Sequence, residues 1–380
     1  MSQVEILPPF LYRQPRMEHI EDVGKYVPGG YHPVDIGDII GTSDQSYEVI
    51  HKLGYGGFST VWLVRSCGDM HSYFALKILC ADVPNVNELN VLQYLRKSAS
   101  PHANVVTLHD SFKVSGPNGE HHCLVFPVLD PSLQNPRVAD ALPGPTRYQV
   151  CCQVTSAIAF LHGQGICHGG SIKAEDLKLP NGSYSPHAPK QVVQTPEFSG
   201  LDYSSLAFVR IVVFGQAFFA DRPPPSLGVP IDFFPPELCF GYLPSTKSDI
   251  WQLACILYIV HAKVPMFSTF FRIFGILIGT VVGYLGPLPQ QWKGRFMFEK
   301  YGYREPGRAQ SRTEPAWWFE DKHSEKSIDS RLFQEAPHLS VRQKGEYVRL
   351  LHDMVAYEPE QRLSAADAVQ RLRSAAFLDE

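Results

Sequence analysis

An α+β fold in two unequal lobes is predicted by the order of hydrophobic patterns along the chain. Short β-type runs enclosing one helical segment come first, and helical periodicity replaces them beyond Pro145. Residues 1–46 carry scattered proline, glycine and acidic residues without periodicity, which predicts an N-terminal extension with little structure of its own. From Tyr47 the runs Tyr47–Leu53, Thr60–Arg65 and Tyr73–Leu79 read as strands. A helix is expected over Asn85–Lys97, where Leu89, Leu92 and Leu95 share one side. Two further strand-like runs, Val105–Val114 and His122–Val128, flank the turn Gly116-Pro117-Asn118-Gly119. The small lobe therefore spans 47–130 and the larger helical lobe 131–377, with a cleft between them. Helices are expected over Tyr148–His162, Ser248–Ala262, Arg342–Ala356 and Ala365–Ala375. The Pro-, Ser- and Gly-rich stretch 180–207 reads as an inserted loop.

Composition narrows the function classes. With 380 residues the chain can bury a large core. Charged residues make up 19% and the net charge is −4, so no basic field argues for nucleic acid. The eight cysteines include no C-x-x-C pair and read as reduced core residues of an intracellular protein. Glu5 and Pro8-Pro9 interrupt the start, so no signal peptide is expected. The most apolar run, Phe267 to Leu285, contains Arg272 and three glycines, and reads as a buried helix and loop rather than a membrane span. The expectation is a monomer, cytoplasmic or nuclear, without direct nucleic-acid or membrane contact.

Several motifs carry chemistry. Gly54-Tyr55-Gly56-Gly57-Phe58 lies between two strand-like runs, and its glycines allow close backbone approach to phosphates. Such a loop alone is weak evidence; its weight comes from Ala75-Leu76-Lys77 on the strand after next. Lys77 sits among apolar neighbours, where an unpaired ammonium is costly, and Glu88 at the helix start is its expected partner. Leu124–Leu129 reads as a strand leading into the interlobe connection, with Phe126 at the back of the cleft. Pro127 can still offer a carbonyl and Leu129 an N–H to a purine. Further on come His168-Gly169, Val213-Phe214-Gly215, Pro235-Pro236-Glu237 and Asp249-Ile250-Trp251.

In this order the motifs resemble a protein kinase. Gly30-Tyr31-His32-Pro33-Val34, Ile36-Gly37-Asp38, Lys52–Leu63, Phe112–Leu129, Leu285-Gly286-Pro287-Leu288-Pro289 and Tyr357–Arg362 are similar to the serine/arginine-rich (SR) protein kinases, especially the shorter fungal members. The resemblance runs from about Gly30 to Phe377. It implies the bilobal kinase fold, ATP and Mg2+ in the parent family, and phosphorylation of serine in Arg-Ser segments. It also implies nucleotide contacts from Leu53, Gly54, Gly56, Val61, Ala75, Lys77, Glu88, Phe126, Pro127 and Leu129. Glu237 is expected to pair with Arg362, and Asp249 to anchor the catalytic loop.

The departures from the family pattern fall where chemistry happens. The family reads His-x-Asp-(Ile/Leu)-Lys-x-x-Asn, and this chain reads His168-Gly169-Gly170-Ser171-Ile172-Lys173-Ala174-Glu175-Asp176. Aligned on Ile172-Lys173, Ser171 takes the place of the catalytic aspartate, Lys173 keeps its place, and Asp176 falls at the metal-binding asparagine. Aligned on His168, Gly170 and Glu175 take those places. Neither register supplies a base. Val213 stands where the principal Mg2+ ligand belongs, and a valine cannot ligate a hard cation. Val229 replaces a threonine that braces the catalytic aspartate. Between Phe214 and Glu237 the only hydroxyl residue is Ser226, and no arginine precedes the catalytic position, so control by loop phosphorylation is not expected. The sequence thus reads as a pseudokinase that binds ATP weakly, with Mg2+ in doubt, and engages a protein partner. The alternative is an active serine/threonine kinase for Arg-Ser-rich proteins, using a nonstandard metal site that includes Asp176. A relic or a faulty gene model is a third reading, argued against by the retained Lys77, Glu88, Glu237, Asp249 and Arg362.

Overall fold

The computed structural model describes residues 20–83, 87–98, 100–129, 142–170, 208–269, 271–303, 312–321 and 327–374. They fall into two compact units, one of residues 20–101 and 106–129, the other of 102–105, 142–170 and 208–374. The inserted loop expected at 180–207 lies outside the described residues.

The first unit is a six-stranded antiparallel sheet with one helix. Its strands are β1 (Ile39–Gly41), β2 (Ser46–Gly56), β3 (Ser59–Ser66), β4 (Tyr73–Leu79), β5 (Asp110–Gly116) and β6 (Gly119–Pro127), in the order β1-β2-β3-β4-β6-β5. Helix α1 (Asn87–Arg96) buries Glu88, Val91, Leu92 and Leu95. Alternation along β3 and β4 divides the sheet into two faces. Trp62, Val64, Leu76 and Ile78 are buried on one, while Val61, Leu63, Ala75 and Lys77 are half-buried on the other.

The expected extension is largely part of this unit. Over residues 20–46, β1 pairs with β2, and Val34 and Ile40 join the core on the Trp62 face. The preceding segment is fixed by a buried ion pair: Glu21 lies 2.5 Å from Lys52, and both side chains are excluded from solvent. The Tyr26 hydroxyl donates to Glu21, and the Lys52 ammonium sits 4.7 Å from the centre of the Trp62 ring. Burial pulls the Lys52 ammonium down from its ordinary value, and the Glu21 carboxylate opposes that shift. Lack of periodicity misled the sequence reading, because these contacts reach across 31 residues to Lys52. At Gly30 a Cβ would stand 1.8 Å from the Lys25 carbonyl oxygen, so only glycine fits. The Gly30 carbonyl accepts from the Ala81 N–H, and the Asn118 amide donates to the Tyr31 carbonyl.

The second unit is mainly helical. Helix α2 (Gly144–Gly163) leads into the two-residue strand β7 (Ile166–Cys167), which pairs with β8 (Phe218–Phe219). Helix α3 (Thr246–Ala262) is buried on nearly every side, as a central helix must be, and opens with a Ser245–Ser248 capping box. Around it lie α4 (Phe274–Leu285), α5 (Phe298–Tyr301), α6 (Ile328–Glu335), α7 (Val341–Met354) and α8 (Ala365–Leu372). The apolar run 267–285 forms α4 and its approach, yet Phe271 and Ile276 are exposed, so its burial is partial. Among the described residues no helix is long and apolar enough to cross a membrane. Each of the eight cysteines is a free thiol, and six are buried.

A second buried ion pair braces this unit. Arg362 donates to both Glu237 oxygens, at 2.9 and 2.7 Å, with both side chains fully buried. Arg362 also donates to the carbonyls of Ala356, Tyr357 and Lys247, and the Ser248 hydroxyl donates to Glu237. Arg362→Ala leaves Glu237 charged and buried and is expected to cost about 3–5 kcal/mol in urea unfolding. An unchanged midpoint would show that the pair does not brace the unit.

A pair of imidazoles links the N-terminal segment to the hairpin. His32 and His121 meet edge to face with ring centres 4.7 Å apart, and among the described residues His32 Nδ1 and His121 Nε2 have no hydrogen-bond partner. Burial and the neighbouring His121 lower the His32 pKa from its ordinary 6.5 to about 4. The folded state therefore resists protonation, and this contribution to stability is complete above pH 6.5 and lost as pH falls towards 4. The melting temperature should drop over that window, and drop less in His32→Phe. Equal drops in parent and variant would remove His32 from the account.

Candidate active site

In the first unit, strand register gathers most of the expected nucleotide-facing residues. Val61 pairs with Lys77 across β3 and β4, and Lys77 with Leu124 across β4 and β6. Ala75 pairs with Phe126, which places Val61, Ala75, Lys77 and Phe126 on one sheet face. Lys77 Nζ donates to both Glu88 oxygens at 2.7 and 2.6 Å, and the pair is largely shielded from water. Gly54 and Gly56 lie on the last turn of β2, with Gly56 opposite Ser59 across the two-residue turn Gly57-Phe58. Leu53 falls at an irregularity in the β2–β3 register, Pro127 ends β6, and Leu129 follows it.

In the second unit, the loop after β7 is held by one carboxylate. Asp249 accepts the His168 N–H at 2.6 Å and the Gly169 N–H at 3.0 Å, and lies 3.1 Å from His162 Nε2. Burial and the nearby Asp249 charge push the Cys167 thiol up, so it stays protonated. The β7–β8 pairing brings the 168–170 loop beside Phe214, which is fully buried and meets the His168 ring edge to face at 5.3 Å. Gln216 spans the following segment, its side-chain oxygen accepting the Gly228 N–H at 3.0 Å. Val229 is buried and has no hydroxyl to donate.

Gly170 is strained and crowded for any side chain. Its φ is +27°, and a Cβ there would stand 2.3 Å from Gln252 Oε1. Gln252 lies one helical turn beyond Asp249, so both address the same loop. It is buried, and its Nε2 has no hydrogen-bond partner. Gly169 is equally confined, at φ +70° with its Cβ position 2.3 Å from the Gln216 carbonyl oxygen. The sequence reading missed Gln252 and Gln216. The signal for Gln252 was a long amide three residues after Asp249 on an expected helix.

Val213 is not packed into the core: it is 43% exposed, and its φ is +64°. A β-branched residue is strained in the left-handed region. The next residue, Phe214, is fully buried. Ser171, Lys173, Glu175 and Asp176 lie outside the described residues.

The protein kinase domain family model matches residues 47–372, and the chain belongs to that family. Its relatives include SR protein kinases. It is 38% identical over 174 residues to the serine/threonine-protein kinase spk-1 of Caenorhabditis elegans, covering 43% of this chain and 17% of that protein. It is 35% identical over 174 residues to human SRSF protein kinase 3, covering 43% and 30%. A serine/threonine protein kinase of Aspergillus fumigatus is 24% identical over 360 residues, covering 89% of this chain and 86% of that one. The chain thus spans under a third of the length of the first two. As expected from the sequence, this is an α+β protein kinase domain, with its β-sheet unit and helical unit, related to the SR protein kinases.

Two outcomes follow from the strained positions. Val213→Asn should stabilise the protein by about 1 kcal/mol, because asparagine tolerates the left-handed region and little packing is lost; a lower unfolding midpoint would contradict this. Gly170→Asp should be destabilising alone and less so with Gln252→Ala, with a coupling of about 1–3 kcal/mol in the double-mutant cycle. Strict additivity would mean that Gln252 does not close the position.

Proposed function

We propose that this protein is a pseudokinase of the SR protein kinase type, binding nucleotide weakly and serving as a binding or scaffold module for a protein partner. The observation that carries the reading is the absence of an oxygen ligand at Val213, together with a Gly170 backbone at φ +27° that disfavours any side chain. The register that aligns Ser171 instead still lacks a carboxylate. Loss of a principal electrostatic stabiliser costs on the order of 10²–10³ in rate, and base and metal ligand act as a unit.

The same reading keeps ATP. Lys77, paired with Glu88, fits a phosphate-bearing ligand, and the half-buried face of Val61, Ala75 and Phe126 suits a purine. The described residues at the metal position do not fit Mg2+, since valine offers no oxygen. Arg-Ser-rich proteins are the proposed partner class, on the resemblance to SR protein kinases. Its eight free cysteines fit a reduced intracellular compartment. A slow serine/threonine kinase using Asp176 or Glu175 is the second reading, favoured by the intact Lys77–Glu88 pair.

Thermal shift with ATP, with and without Mg2+, separates them. The pseudokinase reading expects a small shift, nearly independent of Mg2+ and reduced in Lys77→Met. A large shift that appears only with Mg2+ would favour the active kinase.

A further inference from the structure

The segment ahead of the sheet reaches the glycine loop directly. Lys25 Nζ donates to the Gly57 carbonyl at 2.6 Å, and the Tyr31 hydroxyl donates to the Gly56 carbonyl at 2.7 Å. The Lys25 ammonium also lies 5.6 Å from the centre of the Phe58 ring at the tip of the turn. Both side chains belong to a stretch anchored at three points. Glu21 is paired with buried Lys52, Gly29 and Gly30 are bonded to Asp82, Ala81 and Asn118, and Val34 packs in the sheet core. All of this lies before residue 47, outside the stretch matched by the protein kinase domain model.

The side of the sheet from which these contacts come matters. Lys52 pairs across the strands with Trp62, and its ammonium lies over that ring, so Glu21 sits on the Trp62 face. Val34 packs on the same face, against the core of Trp62, Leu76 and Ile78. Lys77 projects from the opposite face, because successive residues of β4 alternate. The peptide units of the glycine loop are trans, as are all others among the described residues, so each N–H points away from the carbonyl of the same peptide unit. With the Gly56 and Gly57 carbonyls drawn to Tyr31 and Lys25, the Gly57 and Phe58 N–H groups are turned away from the segment. Among the described residues neither of these N–H groups donates to a backbone carbonyl.

We propose that residues 20–34 form a strap that positions the glycine loop from behind, through Lys25 and Tyr31, and presents the Gly57 and Phe58 N–H groups to the phosphates of a nucleoside triphosphate on the Lys77 side. The proposal rests on the nucleotide-binding reading for its ligand, but its structural half stands without nucleotide. Two adjacent N–H donors held in place beside a lysine form an anion-binding concavity. Holding them in advance removes the ordering cost that a free loop meets on binding. Within the first unit, fixed N–H donors and Lys77 then carry the phosphate charge. Lys25 and Tyr31 are positioning residues, since neither touches the ligand.

The test uses the full chain with Lys25→Met, Tyr31→Phe and the double variant, each retaining most of the side-chain volume. Backbone amide order parameters are measured for residues 54–58 without nucleotide, and ATP affinity by fluorescence competition. In the double variant the order parameters at Gly57 and Phe58 should fall from about 0.85 to below about 0.6. ATP binding should weaken by roughly tenfold, about 1.4 kcal/mol, while the melting temperature without nucleotide stays near the parent's. Unchanged order parameters overturn the strap, and a mobile loop with unchanged ATP affinity overturns its role in binding. A parent chain that binds no ATP sinks the nucleotide reading alone, and the order parameters then decide the strap.

Discussion

The buried carboxylate of Asp249 is the constraint on which the second unit's loop geometry depends. A carboxylate removed from water must be compensated by donors, and here two adjacent backbone N–H groups and His162 provide them. Because Asp249 begins α3, a helix buried on nearly every side, the His168–Gly170 loop inherits the rigidity of the core. Gln252, one turn further along the same helix, then meets that loop at a fixed place. One helix face both holds the loop and sets the Gln252 amide against residue 170.

The first unit shows a parallel division between frame and chemistry. Its sheet, its Lys77–Glu88 pair and its glycine loop are all in place, and the loop is further tied by Lys25 and Tyr31. Buried pairs such as Glu21–Lys52 and Glu237–Arg362 are costly to break and contribute little to chemistry. Such pairs keep the domain folded whatever its chemistry. At Val213 the backbone holds a left-handed turn that its side chain does nothing to favour.

Much of this was legible in the sequence, for identifiable reasons. The Lys77–Glu88 pair could be anticipated because Lys77 sits in an apolar strand that admits few partners, and the Glu237–Arg362 pair was implied by the resemblance to SR protein kinases. Strands β2 to β4, β6 and helix α1 followed from periodicity; β5 began later than its apolar run, at Asp110. The strap escaped notice because its anchors are far apart in the chain and its residues follow no repeat. The exposure and positive φ of Val213 were not legible, because side-chain type says nothing of φ. Gln252 was passed over as one more polar residue on a helix, since only the structure reveals which face it shares with Asp249.

Phosphoryl transfer by the unmodified protein tests the central claim most directly. Radiolabelled ATP, Mg2+ and an Arg-Ser peptide would be incubated with the purified chain and with Lys77→Met, and serine phosphate quantified. The account predicts incorporation no higher than in protein-free controls for both. Incorporation by the parent that disappears in Lys77→Met would contradict it, and would show that oxygen ligands beyond Val213 and Gly170 complete a working site.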